Sequence, residues 1–168
     1  MDIKVFGEAP GRGTLHWQGQ LHSCTLGRSG VRLDKHEGDG ASPIGCFPLR
    51  AVFYRADRVA KPATRLPCAA IARDDGWCDA PGDPAYNRKV RLPYPASAES
   101  MWREDGLYDI VVVVGHNDDP VVPGAGSAIF LHLKRDDGGP TEGCVGVDRP
   151  LAMALIAALG PDDRICIG

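Results

Sequence analysis

The chain is short of net charge. Its 168 residues carry 19 basic and 22 acidic side chains, a formal charge of −3. It has no basic run, no Lys/Arg stripe interleaved with aromatics and no acidic tail, so no nucleic-acid or membrane-surface partner is expected. Long apolar runs are also missing. The longest, Ile110–Val114, is strand-sized against the ~20 residues of a spanning helix, so no membrane span is expected. No apolar stretch follows the first charges of Met1–Glu8, and the N-terminus does not read as a secretory signal. A mature form, another export route and cytoplasmic residence all stay open. There is no Cys-x-x-Cys pair and no His-Glu-x-x-His, so no metal site is expected. Gly124-Ala125-Gly126 lacks the third glycine and the helix start of a dinucleotide fingerprint, and no cofactor is expected. With no internal repeat or linker, residues 1–168 read as one domain, long enough to bury a core without staples.

What is abundant is punctuation. Twenty-one glycines and 14 prolines predict many turns and short strands, not a helical bundle. Ile3–Phe6, Thr14–Trp17 and Leu21–Leu26 are rich in β-formers and separated by glycine, which predicts a meander. A loop over 39–45 precedes a strand from Phe47 to Tyr54, and 57–105 shows little periodicity, as a lid or binding loop would. Asp109–Gly115 and Ala128–Lys134 read as buried strands. Asp148 caps a helix with Pro150 in its first turn and an apolar stripe from Leu151 to Leu159, and Arg164–Ile167 closes as a strand. The fold class is therefore mainly β (β-rich α+β): a mostly antiparallel sandwich or partly open barrel with one or two short helices. The six cysteines are spaced 22, 22, 10, 66 and 22 residues apart, and most read as small core hydrophobes.

Cys144 is different. It lies in Thr141-Glu142-Gly143-Cys144-Val145, beyond an eleven-residue loop that follows His132 at the end of a strand. A nucleophilic cysteine needs thiolate character, and a histidine within reach supplies it as an ion pair. Gly143 allows close backbone approach, and the amides of 141–144 can turn toward a developing oxyanion. The alternative is a buried core thiol after a turn. His116, with Asn117 beside it, ends the preceding buried strand. It either contacts substrate or Cys144, or is a strand-end histidine bonded to a turn. Trp77, Tyr86 and Asn87 either wall a cleft or pin a long loop, and Arg88 and Arg91 either meet substrate carboxylates or are solvated.

His132 followed by Thr141-Glu142-Gly143-Cys144-Val145 resembles the His…Ser/Thr-x-Gly-Cys-Ile/Val signature of the L,D-transpeptidase catalytic domain family, the YkuD-like fold. Upstream, Gly40-Ala41-Ser42-Pro43-Ile44-Gly45-Cys46-Phe47 is similar to that family's Thr-Pro-x-Gly-x-Phe stretch. The resemblance spans residues 40 to 148 and implies a mixed β-sandwich with Cys144 as nucleophile, His132 as base and Gly143 in the catalytic turn. On this reading the candidate substrate contacts are His116, Asn117, Thr141, Glu142, Trp77, Tyr86 and Asn87. The implied reaction is attack on a peptidoglycan tetrapeptide stem, loss of D-Ala and transfer of the acyl group to the amine of a second stem, a 3–3 crosslink. A covalent carbapenem adduct at Cys144 and a place in the cell envelope or periplasm follow from the same resemblance, as does a backbone carbonyl near Leu133 holding the histidine's second nitrogen. Two positions depart from the pattern: Glu142 stands where many members have His, and Gly146 where they carry Arg. Alternatives are an L,D-carboxypeptidase or amidase using the same site, and a silent peptidoglycan-binding module.

Overall fold

The computed structural model describes residues 2–168. The chain opens with β1 (Asp2–Ala9), β2 (Arg12–Trp17) and β3 (Gln20–Thr25), an antiparallel meander. Gln18 and Gly19 join β2 to β3 with φ of 49° and 75°. Two left-handed residues give a turn whose twist matches a hairpin, and glycine adopts the second at no steric cost. Next come β4 (Val31–Arg32), β5 (Ser42–Pro43), the long β6 (Gly45–Tyr54) and β7 (Cys68–Ala70). The remaining elements are β8 (Asp75–Cys78), β9 (Lys89–Arg91), β10 (Ala98–Ser100), β11 (Ile110–Val114), β12 (Phe130–Leu133), β13 (Val145–Val147), α1 (Arg149–Ala158) and β14 (Arg164–Ile167).

Nine strands form one sheet in the order β11-β12-β13-β3-β2-β1-β14-β6-β7, and β11 also pairs with β6. That extra pairing closes the sheet into a ring, which goes beyond the partly open barrel expected. The β1–β14, β12–β13 and β6–β7 pairs are parallel, and the rest of the sheet is antiparallel. The seam between β13 and β3 is thin, a single register pair, Gly146 with Thr25.

Period-two alternation divides this sheet into two buried faces. Ile110, Val112 and Val114 of β11 and Leu131 and Leu133 of β12 join an inner core with Ile3, Val5 and Leu15. The helix adds Leu151, Leu155 and Ile156 to the same core, and its C-cap residue Leu159 joins them. Val111 and Val113 of β11 and Phe130 of β12 point the other way, into a second cluster with Trp77, Met101 and Tyr108. Burial on both faces explains why Ile110–Val114 is apolar at every position.

The aperiodic middle of the sequence is not a bare loop. β8, β9 and β10 form a three-stranded antiparallel sheet in the order β10-β8-β9, and Trp77 of β8 packs edge-on against Phe130, their centroids 5.0 Å apart. Strands of three and four residues are too short to show periodicity in sequence. Asp148 sits at the helix N-cap without a side-chain cap bond; its carboxylate pairs with Lys134 instead, at 3.0 Å. Four of the six cysteines are free, but Cys46 and Cys166, opposite each other on β6 and β14, form a disulfide that fastens the last strand into the ring. Among the described residues no helix is long and apolar enough to cross a membrane.

Candidate active site

Register places the two candidate catalytic side chains on one face. Leu131 pairs with Val145, and both are buried in the inner core. Cys144, one residue before Val145, and His132, one residue after Leu131, therefore face the opposite side, with Phe130 between the sheets. Both line a cleft of about 430 Å³. The parallel β12–β13 pairing thus brings together residues that the sequence separates by a polar loop.

His132 is buried, and its Nδ1 lies 2.8 Å from the Leu133 carbonyl. A carbonyl can only accept, so Nδ1 carries the hydrogen and Nε2 keeps a free lone pair. The Tyr108 ring packs edge-on against the imidazole at 5.4 Å, which fixes its plane. The Cys144 thiol donates to the Ala128 carbonyl at 3.2 Å and accepts from the Phe130 N–H at 3.3 Å. No hydrogen bond joins the thiol to His132 in this state.

The resting electrostatics correct the expected ion pair. Burial pushes the Cys144 thiol up to about 12, with the Glu99 charge adding to the rise and the Phe130 N–H opposing it. Burial likewise takes His132 down to about 4, against the help of its bond to Leu133. Both groups are neutral at pH 7. Low dielectric disfavours separated charge, and the opposing contacts are weaker than the effect of burial. The site holds a neutral thiol and a neutral imidazole base.

Gly143 has φ of +138°, and a Cβ there would meet the Ala41 carbonyl oxygen at 2.7 Å. Only glycine fits the turn that presents the thiol. Not every amide of that turn is available to an oxyanion. The Thr141 N–H donates to Leu26 O at 2.9 Å and the Gly143 N–H to Thr141 Oγ1 at 3.1 Å. Thr141 Oγ1 in turn donates to the Cys144 carbonyl at 2.7 Å. The amides of Glu142 and Cys144 are the remaining candidates. Thr141 and Glu142 line the cleft, and Glu142 leans outward onto Arg28 at 3.0 Å.

Five residues expected at the substrate lie behind the cleft wall instead. The Asn87 side chain accepts from Trp77 Nε1 at 2.9 Å and Ala128 N at 3.0 Å, and donates to the carbonyls of His116 and Asn117 at 3.0 and 2.8 Å. It ties β8 to the loop before β12. Tyr86 accepts from the Gly126 N–H at 3.0 Å, and Asn117 Nδ2 donates to Val122 O and Gly126 O at 2.9 Å. His116 packs edge-on against Phe47 and burial lowers it to about 4. The polar groups of Trp77, Tyr86, Asn87 and Asn117 are largely consumed in positioning the 116–128 loop, whose Ala128 carbonyl holds the thiol, whereas His116 Nδ1 is buried without a hydrogen-bond partner. Arg88 donates to the Asp118 carbonyl of the same loop at 2.7 Å and to the Asn87 carbonyl at 3.3 Å, and Arg91 pairs with Asp74.

The cleft wall also holds charged groups: Lys35, Glu37, Asp79, Glu99 and Arg103. Tyr108, beside His132, donates to Glu99 at 3.1 Å. No periodicity or spacing marks them, because β8, β10 and two loops deliver them separately. No group of three or more His, Cys, Asp or Glu side chains among the described residues is arranged to hold a metal ion.

The family model described as YkuD, L,D-transpeptidase catalytic domain, matches residues 10–167. No curated protein and no solved structure matches the chain.

Proposed function

Because the chain belongs to the L,D-transpeptidase catalytic domain family, a family of cysteine-based peptidoglycan enzymes, we propose that it is a peptidoglycan L,D-transpeptidase that acts through an acyl-enzyme on Cys144. The observation that carries this reading is the pairing of Cys144 with a histidine of fixed tautomer in one cleft, with His132 Nε2 free to accept a proton. Substrate entry displaces the thiol hydrogen from Ala128 O toward His132 Nε2. The sulfur attacks the stem carbonyl carbon as that proton moves, so full thiolate charge need not exist beforehand. The carbon–nitrogen bond to D-Ala breaks, and His132 returns the proton to the leaving amine. The acyl group is now a thioester. A neutral amine of a second stem attacks it, His132 takes the amine proton, the carbon–sulfur bond breaks, and the proton passes back to sulfur. The backbone amides near Cys144 and the Phe130 N–H offset the charge that builds during each attack.

Incubation with a defined tetrapeptide stem tests the proposal. Intact mass should show an acyl group on the protein, peptide mapping should place it on Cys144, and chromatography should show crosslinked dimers. Shortened stems without dimers would assign the site to hydrolysis, as an L,D-carboxypeptidase, and no adduct or product at all would remove the enzymatic reading.

A further inference from the structure

The backbone that holds Cys144 is itself strained. Two peptide groups either side of Ile129 grip the sulfur, the Ala128 carbonyl at 3.2 Å and the Phe130 N–H at 3.3 Å. Phe130 is fixed independently, paired with Val113 in the sheet and packed by the rings of Trp77 and Tyr108. Ala128 lies outside the strand, in the left-handed region at φ +54°. A residue with a Cβ and no polar side chain avoids that region, so a contact from elsewhere must keep it there. Four non-glycine residues among those described have positive φ. Gln18 serves the β2–β3 hairpin, and the other three, Asn87, Asn117 and Ala128, are joined by one side-chain amide. Asn87 Nδ2 donates to Asn117 O at 2.8 Å and His116 O at 3.0 Å, and its Oδ1 accepts from Ala128 N–H at 3.0 Å and Trp77 Nε1 at 2.9 Å. Every hydrogen-bonding position of that amide is filled, and a flipped amide would set its NH2 against two donors. Asn87 is buried behind the cleft and does not line it.

We infer that Asn87 is a positioning residue for the nucleophile, acting through left-handed Ala128. With its N–H pinned on Asn87 Oδ1 and its carbonyl on the sulfur, Ala128 transmits the placement of the amide to the placement of the thiol. The sulfur stays aimed into the cleft that it shares with His132. The carbonyl accepts from S–H and repels a thiolate, so it adds to burial in keeping the thiol neutral until substrate displaces the hydrogen. The inference rests on the proposed function only where acylation is the readout.

Single-turnover acylation by a defined tetrapeptide stem separates rate from folded fraction. Asn87→Ala should lower the rate at saturating stem about tenfold or more, because a slightly misplaced reacting atom is costly, and leave the half-saturating stem concentration unchanged. Iodoacetamide should attack Cys144 about threefold faster or more, because the acceptor that favours the neutral thiol has moved away. Glycine enters left-handed space freely, so adding Ala128→Gly to Asn87→Ala should recover most of the acylation rate and return alkylation toward wild type. Asn117→Ala is the comparator: it frees the loop at Val122 and Gly126 without touching Ala128, and its slowing should not respond to Ala128→Gly. A rescue shared by both backgrounds, or found in neither, overturns the positioning role. Should Asn87→Ala fail to fold, Ala128→Val decides. It keeps every Asn87 bond and makes the left-handed backbone costlier, so acylation at saturating stem should slow and alkylation quicken; wild-type values for both overturn the inference. A wild type that forms no acyl-enzyme yet shows this alkylation pattern would remove the proposed function and leave the positioning role. Acylation by wild type and Asn87→Ala at one rate would remove the positioning role and leave the function.

Discussion

The two faces of the β11–β12 sheet are equally buried and differ in what burial accomplishes. On the inner face every contact is apolar, and Leu131, Val112 and Leu155 contribute to stability without any polar group to satisfy. On the outer face the same strands carry Val111, Val113 and Phe130 beside Cys144, His132 and Tyr108, and the covering sheet brings Glu99 and Asp79 to the same space. β12 thus builds a core with its odd residues and a reaction site with its even ones, while β11 faces the core with its even residues and the site with its odd ones. Burial that stabilises the first set holds the second in unfavourable charge states. A substitution on the inner face should therefore cost stability and spare chemistry, and one on the outer face should do the reverse.

The largest expected effect divides two buried cysteines. Cys144→Ala should abolish turnover, because the attacking atom is gone, while circular dichroism and melting temperature stay close to wild type. Cys24, in the inner core, should tolerate Cys24→Ala with full activity and a stability loss of about 1 kcal/mol by urea titration. A carbapenem-type β-lactam should likewise add mass to wild type and not to Cys144→Ala. Normal turnover by Cys144→Ala would remove the mechanism.

The second effect concerns the thiol's ionisation. Alkylation by iodoacetamide follows the thiolate fraction, so the Cys144 rate should keep rising past the ~8.5 at which a free cysteine inflects, toward about 12. His132→Ala should leave that inflection high, because a histidine held near 4 contributes no positive charge at neutral pH. A wild-type inflection below 8.5 that moves upward in His132→Ala would show a resting ion pair and overturn the neutral site. The third effect belongs to the inner face. Leu155→Ala should lower the unfolding free energy by about 3 kcal/mol through lost contacts and a cavity, and the folded fraction should turn over normally.

How much of this was legible in the sequence follows from the same contrast. The pairing of His132 with Cys144 could be read because each sits in a local pattern, a strand end and a Gly-Cys turn. The buried strands showed themselves by unbroken apolar runs, and the helix by Pro150 and its stripe. What stayed hidden depended on register between distant segments. Cys46 and Cys166, 120 residues apart, meet only because β6 and β14 pair at those positions. Glu37, Asp79 and Glu99 come from three segments with no common motif, and only the packing of the small sheet on the large one gathers them. Trp77, Tyr86 and Asn87 were conspicuous in sequence for their chemistry, yet that chemistry is spent holding a loop. The expected ion pair failed for a physical reason invisible in a motif: the depth of burial of both partners.

The smallest effect is the most exacting test of the outer face, and it concerns Glu99. Its carboxyl is raised to about 7 in the folded chain, first by burial, with Asp79 and Glu37 adding to the rise and Tyr108 and Arg103 opposing it. An unfolded glutamate titrates near 4.5. Below pH 4.5 both states hold the proton and Glu99 makes no difference. Between 4.5 and 7 the folded state holds more protons than the unfolded one, so stability falls as pH rises. Above 7 both are ionised and the cost of a buried carboxylate is felt in full, on the order of 1–2 kcal/mol once partial solvation is allowed for. Glu99→Gln removes the titration. Its melting temperature should match wild type near pH 4.5 and exceed it by about 3–6 °C at pH 8. His116 and His132, both lowered to about 4, impose the opposite slope on the acid side, but they are present in both proteins and drop out of the difference. A difference curve that stays flat from pH 4.5 to 8 would mean that Glu99 ionises as freely folded as unfolded, and the outer face would then resemble an ordinary solvated surface.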